Sequence, residues 1–264
     1  MPLLLRILLL LCLVVMFGGL GKRSSSSVDN VNGHDVPNKK QQCQETAAVP
    51  VTLKLVAWNI NGLARLVGKK NGYALQRMVA EWEFPAVICF EETKLQEHEV
   101  QKFFDILSGL GYISFWKCST AESRKGRDGV VTFVRGTGSV EALTIARQSA
   151  LGNIKTLPPT KYFKLAPELE NIQLPPTGLH IERVTFQLGT NNFFSRYGNT
   201  VVVYLRNKMV IANVYRPNTC TVPNQYKQRK LDDVEFRQEI KKLEVDRLVI
   251  IVGDFCRGLP SASS

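Results

Sequence analysis

The alternation of apolar and polar stretches along the chain predicts strands and helices in turn from residue 53 onward. LKLVAWNI (53–60) and AVICF (86–90) are mostly apolar runs with β-branched residues, which are typical of buried strands. Between them, apolar residues recur at i, i+3, i+4 and i+7 over 75–82, which is the spacing of one helix face. This region therefore predicts a strand, a helix and a second strand.

The pattern continues to residue 253 with one interruption. Residues 200–206 and 209–215 are predicted strands joined by a tight turn at Asn207 and Lys208, which indicates a hairpin. The segment 136–195 has paired prolines and no sustained period, so we expect a long loop or insertion with a few short elements. The alternation of predicted strands and helices along the chain, with a hairpin, favours a two-layered α/β sandwich with mixed sheets. The remaining predicted elements are helices at 100–107 and 236–243 and strands at 112–116, 129–134 and 247–252.

The first 50 residues have a different character from the rest of the chain. Residues 1–23 hold an apolar run at 7–17, shorter than the roughly 20 residues of a spanning helix, and predict a signal-like or targeting leader. An organelle presequence and a misassigned gene start are the alternatives. Residues 24–50 are rich in Ser, Asn and Gln and predict a disordered linker.

Composition and charge restrict the class of partner. Hydrophobic residues make up 44% and charged residues 22%, which is ordinary globular usage and excludes disorder of the whole chain. The 34 Lys and Arg against 23 Asp and Glu give a formal charge of +11. This excess argues against an acidic partner-binding surface and favours a polyanion, nucleic acid before membrane. The six cysteines form no CxxC pair, so neither a disulfide framework nor a zinc site is predicted.

Polar side chains follow the predicted strands at the points where the strands end. Side chains at strand ends can converge at one mouth of a packed sheet, where α/β proteins commonly bind ligands. A carboxylate there suits Mg²⁺, which binds a few carboxylate oxygens and keeps several waters. The alternative interpretation is that they are ordinary turn and surface residues. The residues concerned are Asn59, Asn61, Glu92, Tyr215 and Asp254.

Five sequence blocks carry a resemblance to a known family. They are VAWNINGL (56–63), VICFEETKL (87–95), RDGVVTF (127–133), NVYRPN (213–218) and VIIVGDF (249–255). In order and spacing they resemble the exonuclease III-like AP endonucleases of the endonuclease/exonuclease/phosphatase superfamily, and most of all the AP endonuclease 2 branch. The resemblance implies a DNase I-like fold, a four-layer α/β/β/α sandwich. Residues 51–264 would then be a partial domain of this type, with the insertion at 136–195.

The resemblance also implies roles for individual residues. Asn59 and Glu92 would lie at the metal site, with Glu92 the main ligand of Mg²⁺, or of Mn²⁺ as an alternative, and with Glu91 at the family's usual Gln position. Tyr215 would contact the scissile phosphate, and Asp254 would orient or deprotonate the attacking water. The residues expected at the phosphate or DNA backbone are Asn61, Lys94, Arg124, Lys125 and Arg127. Lys94 would also support the metal site. For Arg124, Lys125 and Arg127 the alternative is an ordinary solvated, charged loop.

The sequence departs from the family pattern near its last strand. The pattern GDxN has Cys256 in place of the Asn, and a cysteine is a poor hydrogen-bond donor. The family's later Asp and Ser-Asp-His blocks have no counterpart, because His34, His98 and His180 all precede Asp254. We therefore expect a C-terminally truncated chain that is inactive by itself.

The function implied by the resemblance is DNA repair. It comprises Mg²⁺-dependent cleavage of the DNA backbone at abasic sites and 3′–5′ exonuclease or phosphodiesterase activity, with abasic or 3′-blocked duplex DNA as the partner. A non-catalytic nucleic-acid-binding remnant and a retrotransposon-type endonuclease fragment are the alternatives. The resemblance implies the nucleus, with the mitochondrion as an alternative, whereas the leader indicates the secretory pathway. No stable membrane partner is expected once the leader is removed.

Overall fold

The computed structural model describes the fold over six stretches of the chain. The leader and linker predicted for 1–50 lie outside them, as do four of the residues singled out in the sequence, Arg124, Lys125, Asp254 and Cys256. The described residues are 53–67, 72–118, 126–151, 163–186, 200–215 and 223–253.

Four strands form a first, mixed sheet. They are β1 (Leu55–Asn59), β2 (Val87–Glu91), β3 (Tyr112–Lys117) and β4 (Val130–Arg135). Their order across the sheet is β1-β2-β4-β3. β1 and β2 run parallel, and β4 is antiparallel to both of its neighbours.

Five strands form a second, mixed sheet. They are β5 (Thr137–Gly138), β6 (His180–Thr185), β7 (Thr200–Leu205), β8 (Met209–Val214) and β9 (Leu248–Val252), and they lie in chain order. The predicted hairpin is confirmed, because β7 and β8 pair antiparallel with Leu205 opposite Met209. Lys208, in the turn, takes the left-handed φ of 60°.

Helices cover the outer faces of the two sheets. Apolar residues of α1 (Leu63–Val67) and α2 (Tyr73–Glu81) pack on the first sheet, together with Val100 of the short α3 (Glu97–Val100). On the second sheet, Ile240, Phe236 and Leu243 of α5 (Pro223–Glu244) pack against β7 and β8. Between the sheets lies a core to which both contribute, and α4 (Val140–Leu151) adds Ala142 and Ala146 to it. The predicted α/β sandwich with four layers is confirmed.

One predicted helix is shorter than its apolar spacing suggested. The spacing predicts a helix over 100–107, but α3 ends at Val100. Beyond it, successive backbone N–H groups donate to the carbonyl three residues earlier, as in Phe103 to Val100 and Ile106 to Phe103. A chain of such tighter turns still buries Val100 and Leu107, so the apolar pattern alone could not distinguish it from an α-helix.

The segment 136–195 contains more regular structure than its sequence predicted. Instead of a long loop with a few short elements, it supplies strands β5 and β6 of the second sheet and the twelve-residue helix α4. Only Ile181 and Val184 of β6 are buried, since the strand lies near the edge of the sheet. A half-exposed edge strand has no continuous apolar run, which is why the sequence did not reveal it.

The strand directions bring several chain reversals to one end of the sandwich. Asn59 at the end of β1 pairs with Glu91 at the end of β2, and Glu91 pairs with Val130 at the start of β4. The end of β8 lies across from them, because Asn213 hydrogen-bonds to the backbone of Phe90 and Val131. We call this end the mouth. Among the described residues, no helix has the length and apolar character needed to cross a membrane.

Candidate active site

The turn after β1 is fixed by the side chain of its last residue. Asn59 Oδ1 accepts a hydrogen bond of 3.2 Å from the backbone N–H of Asn61, a local bond by which asparagine stabilises turns. Asn61 has a φ of 49°, a left-handed conformation that asparagine tolerates better than most residues. Gly62 follows at a φ of 113°, which a side chain would disfavour. The Asn-Ile-Asn-Gly sequence therefore turns the chain at the mouth.

The turn after β2 holds two residues in left-handed conformations. Glu92 and Lys94 have φ values of 51° and 55°, and each such residue other than glycine costs about 1–3 kcal/mol. Hydrogen bonds from two neighbouring loops hold this segment in place. Backbone N–H groups of Gly62 and Leu63 donate to the carbonyls of Glu92 and Thr93 at 2.8 and 2.9 Å, and those of Thr93 and Lys94 donate to Gly129 and Asp128 at 3.0 and 3.2 Å. The surrounding backbone thus determines where the Glu92 side chain points.

The Glu92 carboxylate is the centre of the polar contacts at the mouth. Its Oε1 accepts hydrogen bonds from Asn59 Nδ2 at 3.0 Å and from the Tyr215 hydroxyl at 2.8 Å. Its Oε2 lies 3.4 Å from Lys94 Nζ, which also donates to Asn61 Oδ1. The Glu92 side chain is 20% exposed, so a ligand in the mouth can reach it. Five residues predicted from the sequence for one site are therefore together.

Tyr215 links the second sheet to this group. It follows β8 and is 5% exposed, with its ring in the core between the sheets. Its hydroxyl reaches across to Glu92, which follows β2 of the first sheet. The Tyr215–Glu92 hydrogen bond therefore joins the two sheets at the mouth, and the relative position of the sheets sets its length.

The two adjacent glutamates lie in different environments. Glu91 is 1% exposed and shares the inner face of β2 with Cys89, as alternation along a strand requires. Burial raises the pKa of the Cys89 thiol, and the nearby charge of Glu91 raises it further. Glu92, one residue beyond the strand, is the more exposed of the two. The geometry therefore favours Glu92 over Glu91 as the group open to a ligand.

The donor set at the mouth fits a hard divalent cation bound mainly through water. Within the described stretches, no group of three or more His, Cys, Asp or Glu side chains is arranged to hold a metal ion. Mg²⁺ needs no such cage, because it is commonly held by one or two carboxylates and several waters. The Glu92 carboxylate provides oxygen ligands of the right kind, while Asn59 turns its amide nitrogen to Glu92 and its oxygen to the Asn61 N–H.

The basic residues predicted at the DNA backbone are only partly described. Arg127 is exposed and lies three residues before β4, on the mouth side of the first sheet. Of the histidines, His98 is exposed on α3, and His180 lies at the far end of β6, where its Nδ1 is 2.9 Å from Thr137 Oγ1. His180 therefore does not belong to the mouth.

Sequence reasoning missed Asn213 as a residue of this region. It lies inside the NVYRPN block, in which the family resemblance implies a role only for Tyr215. Asn213 is fully buried and hydrogen-bonds to the first sheet. The available signal was an asparagine within an otherwise apolar strand, since asparagine is uncommon in strands and in protein interiors.

Comparison of the sequence with known proteins finds a distant relative but no family model. No protein-family model matches the chain. An exodeoxyribonuclease of Streptococcus pneumoniae is 24% identical over 212 residues, which is 77% of this chain and 61% of the relative's own length. The chain thus spans about three fifths of that curated relative.

A solved structure from Neisseria shares the fold. The 3′ phosphatase NExo from Neisseria, solved with a product DNA hairpin, matches 77% of this chain and 58% of its own with a TM-score of 0.50 at 14% identity. The catalytic domain of Xenopus laevis APE2 matches the same shares at 18% identity with a TM-score of 0.43. At these identities the likeness is one of fold. The chain has a DNase I-like fold, so the fold that the resemblance in its sequence blocks implied is confirmed.

Proposed function

We propose that this chain carries the cation- and DNA-binding half of a Mg²⁺-dependent phosphodiesterase site that acts in DNA repair, on abasic or 3′-blocked duplex DNA. One observation carries the proposal: the Glu92 carboxylate is held at the mouth by donors from three separate chain segments. Homologous nucleases with this fold and the formal charge of +11 support DNA as the partner.

The residues at the mouth divide this work between them. Glu92 and Asn59 would hold the cation, which when bound would neutralise charge building on a phosphate oxygen. Lys94 keeps the Glu92 carboxylate and Asn61 in place through its ammonium group. Tyr215 donates to Glu92 and is close enough to the mouth to donate to a phosphate instead. Asp254, as predicted from the sequence, would orient the attacking water.

For a polypeptide of these 264 residues we propose binding without incision. The GDxN position holds Cys256, whose thiol is a poorer donor to a phosphate oxygen than an amide is. Within the described part of the chain, His180 lies at the end of β6 away from the mouth, and His98 is exposed on α3. The weaker donor at position 256 would stabilise a charged transition state less well than the Asn of the family pattern.

The proposal is tested by measuring cation binding and incision separately. Mn²⁺ and Mg²⁺ are titrated calorimetrically into the parent chain, Glu92→Gln and Glu97→Gln, the last altering an exposed carboxylate on α3. We expect the parent chain and Glu97→Gln to bind the cation. In Glu92→Gln we expect the cation affinity to fall at least tenfold. A labelled duplex with one abasic analogue, run on a denaturing gel, reports incision.

The possible outcomes separate the two parts of the proposal. No cation binding by the parent chain contradicts the site itself. Mg²⁺-dependent nicking that is lost in Glu92→Gln contradicts the expected inactivity while supporting the phosphodiesterase site. Cation binding without nicking, with duplex binding that weakens as salt rises, is the expected result.

A further inference from the structure

A buried asparagine joins the two sheets beneath the mouth. Asn213 is the next-to-last residue of β8 and is 0% exposed. Its Nδ2 lies 3.1 Å from the carbonyl oxygen of Val131, 3.3 Å from Thr132 Oγ1 and 3.4 Å from the carbonyl oxygen of Phe90. All three acceptors belong to the first sheet, so this amide group bridges the core between the sheets.

The contacts of Asn213 lie next to the Tyr215–Glu92 hydrogen bond, on the side toward the interior of the sandwich. Asn213 precedes Tyr215 by two residues on one side, and Phe90 precedes Glu92 by two residues on the other. Residues two apart on a strand point to the same face, so Asn213 and Tyr215 both project toward the first sheet. The longest of the three Asn213 contacts, to Phe90, and the Tyr215–Glu92 bond therefore join the same two chain segments, while the two shorter contacts join β8 to β4.

Net stability does not account for an amide at this position. The Asn213 Oδ1 is buried and has no hydrogen-bond partner among the described residues. Leaving a buried acceptor unpaired is unfavourable, which offsets much of what the Nδ2 bonds contribute to stability. A directional bond differs from an apolar contact in that it fixes how the two sheets lie relative to each other.

We propose that Asn213 is a positioning residue, which holds β8 against β2 and β4 so that the Tyr215 hydroxyl meets Glu92 Oε1. Its Nδ2 contacts set the separation and register of the sheets one step below the mouth. Without them, fewer directional contacts hold the sheets there, and apolar contacts tolerate small shifts. The consequence for cation binding rests on the proposed function, whereas the positioning of Tyr215 does not.

The test is a double-mutant cycle on stability that needs neither cation nor DNA. Tyr215→Phe is introduced into the parent chain and into Asn213→Leu, which keeps the number and branching of the side-chain heavy atoms, and the midpoint of urea unfolding is measured. We expect Tyr215→Phe to lower the midpoint in the parent and to lower it by less than half as much in Asn213→Leu. If Asn213→Leu does not fold, Asn213→Val, which favours a strand, replaces it.

A matched control separates positioning from a general loosening of the core. Val201 is the cross-strand partner of Asn213 on β7 and is fully buried in the same core. Val201→Ala creates a cavity there without removing a polar bridge, so Tyr215→Phe should keep its full effect in that background. An equal effect of Tyr215→Phe in the parent, Asn213→Leu and Val201→Ala backgrounds overturns the proposal.

A Mn²⁺ titration of the same variants shows whether the positioning reaches the proposed cation site. We expect Asn213→Leu to weaken Mn²⁺ binding at least threefold relative to Val201→Ala. If the parent chain binds no Mn²⁺, the proposed function fails while the stability cycle still decides the role of Asn213. Equal Mn²⁺ affinities in a parent that binds the ion contradict a role of Asn213 in the site.

Discussion

The hydroxyl of Tyr215 donates a hydrogen bond of 2.8 Å to Glu92 Oε1, although the two residues are 123 positions apart and follow strands of different sheets. The same oxygen accepts a bond from Asn59, so a single carboxylate oxygen joins three chain segments. Because Glu92 is held from both sheets, the geometry of the mouth depends on how the sandwich packs and not on one loop alone.

Replacing Tyr215 by Phe should weaken both the fold and the cation site. The change removes one of the donors to the Glu92 carboxylate, and a hydrogen bond to a charged group contributes about 1.5–3 kcal/mol. Because Glu92 is partly exposed to solvent, we expect the loss of stability to lie in the lower part of that range. Urea unfolding measures the loss of stability, and a Mn²⁺ titration measures the change in affinity.

Tyr112→Phe is the matched control for this change. Tyr112 is a second buried tyrosine, on β3, and its hydroxyl donates to the carbonyl of Pro85 at 2.6 Å, at the end of the first sheet away from the mouth. Its loss should cost about 1 kcal/mol of stability and leave Mn²⁺ affinity unchanged. Equal Mn²⁺ affinities in Tyr215→Phe and the parent would show that the phenol does not shape the site.

Gly253 should tolerate no side chain. It has a φ of 133°, and a Cβ built there would lie 1.9 Å from the carbonyl oxygen of Val214, the residue before Tyr215. Gly253→Ala must therefore push β9 away from β8, and we expect a loss of about 3 kcal/mol or more or a failure to fold. Thermal unfolding followed by circular dichroism measures this.

Gly178→Ala distinguishes the steric clash from backbone strain. Gly178 also has a positive φ, 68°, but a Cβ there would have no heavy atom within 4 Å. This variant should lose only about 1 kcal/mol, the cost of a left-handed alanine. Similar losses in the two variants would refute the close approach of Gly253 to β8.

The strands and helices with continuous apolar runs were predictable from the sequence. It was also predictable that the polar residues after these strands come together at one end of the sheets. Asn59, Glu92 and Tyr215 each follow such a run, and the structure brings them together. The left-handed conformations of Glu92 and Lys94 were not predictable, because neither residue type favours them locally. They are imposed by hydrogen bonds from loops around Gly62 and Gly129 that are distant in sequence.

Arg127 should contribute to DNA affinity through charge alone. It is exposed beside the mouth, which is where the proposed function places the DNA. In the proposed function, Arg127→Ala removes one phosphate contact, so the slope of log affinity against log salt should become shallower by about 1. Fluorescence anisotropy with a labelled duplex at several salt concentrations measures the slope. Arg206→Ala, in the hairpin turn at the opposite end of β8, should leave it unchanged, and the idea fails if the two variants behave alike.

A buried thiol should make the fold sensitive to alkaline pH. Burial, with a further contribution from Glu97, raises the pKa of Cys118 from 9.0 to about 12. Between these values the thiol ionises in the unfolded chain but stays protonated in the fold, so ionisation favours unfolding. The contribution of Cys118 to the free energy of unfolding is therefore fully present below pH 9. It falls by about 1.4 kcal/mol per pH unit as the pH rises from 9 toward 12.

Cys118→Ala isolates this effect from the other groups that titrate at high pH. Cys89 and Tyr112 also have raised pKa values because of burial, so the parent chain should lose stability above pH 9 for several reasons at once. The variant should be less stable at pH 7, since it leaves a cavity, but its stability should fall less steeply from pH 9 to 11. Urea unfolding at half-unit pH steps gives both slopes. Parallel slopes would mean that Cys118 is accessible to water in the fold, because only a solvated thiol keeps its ordinary pKa there.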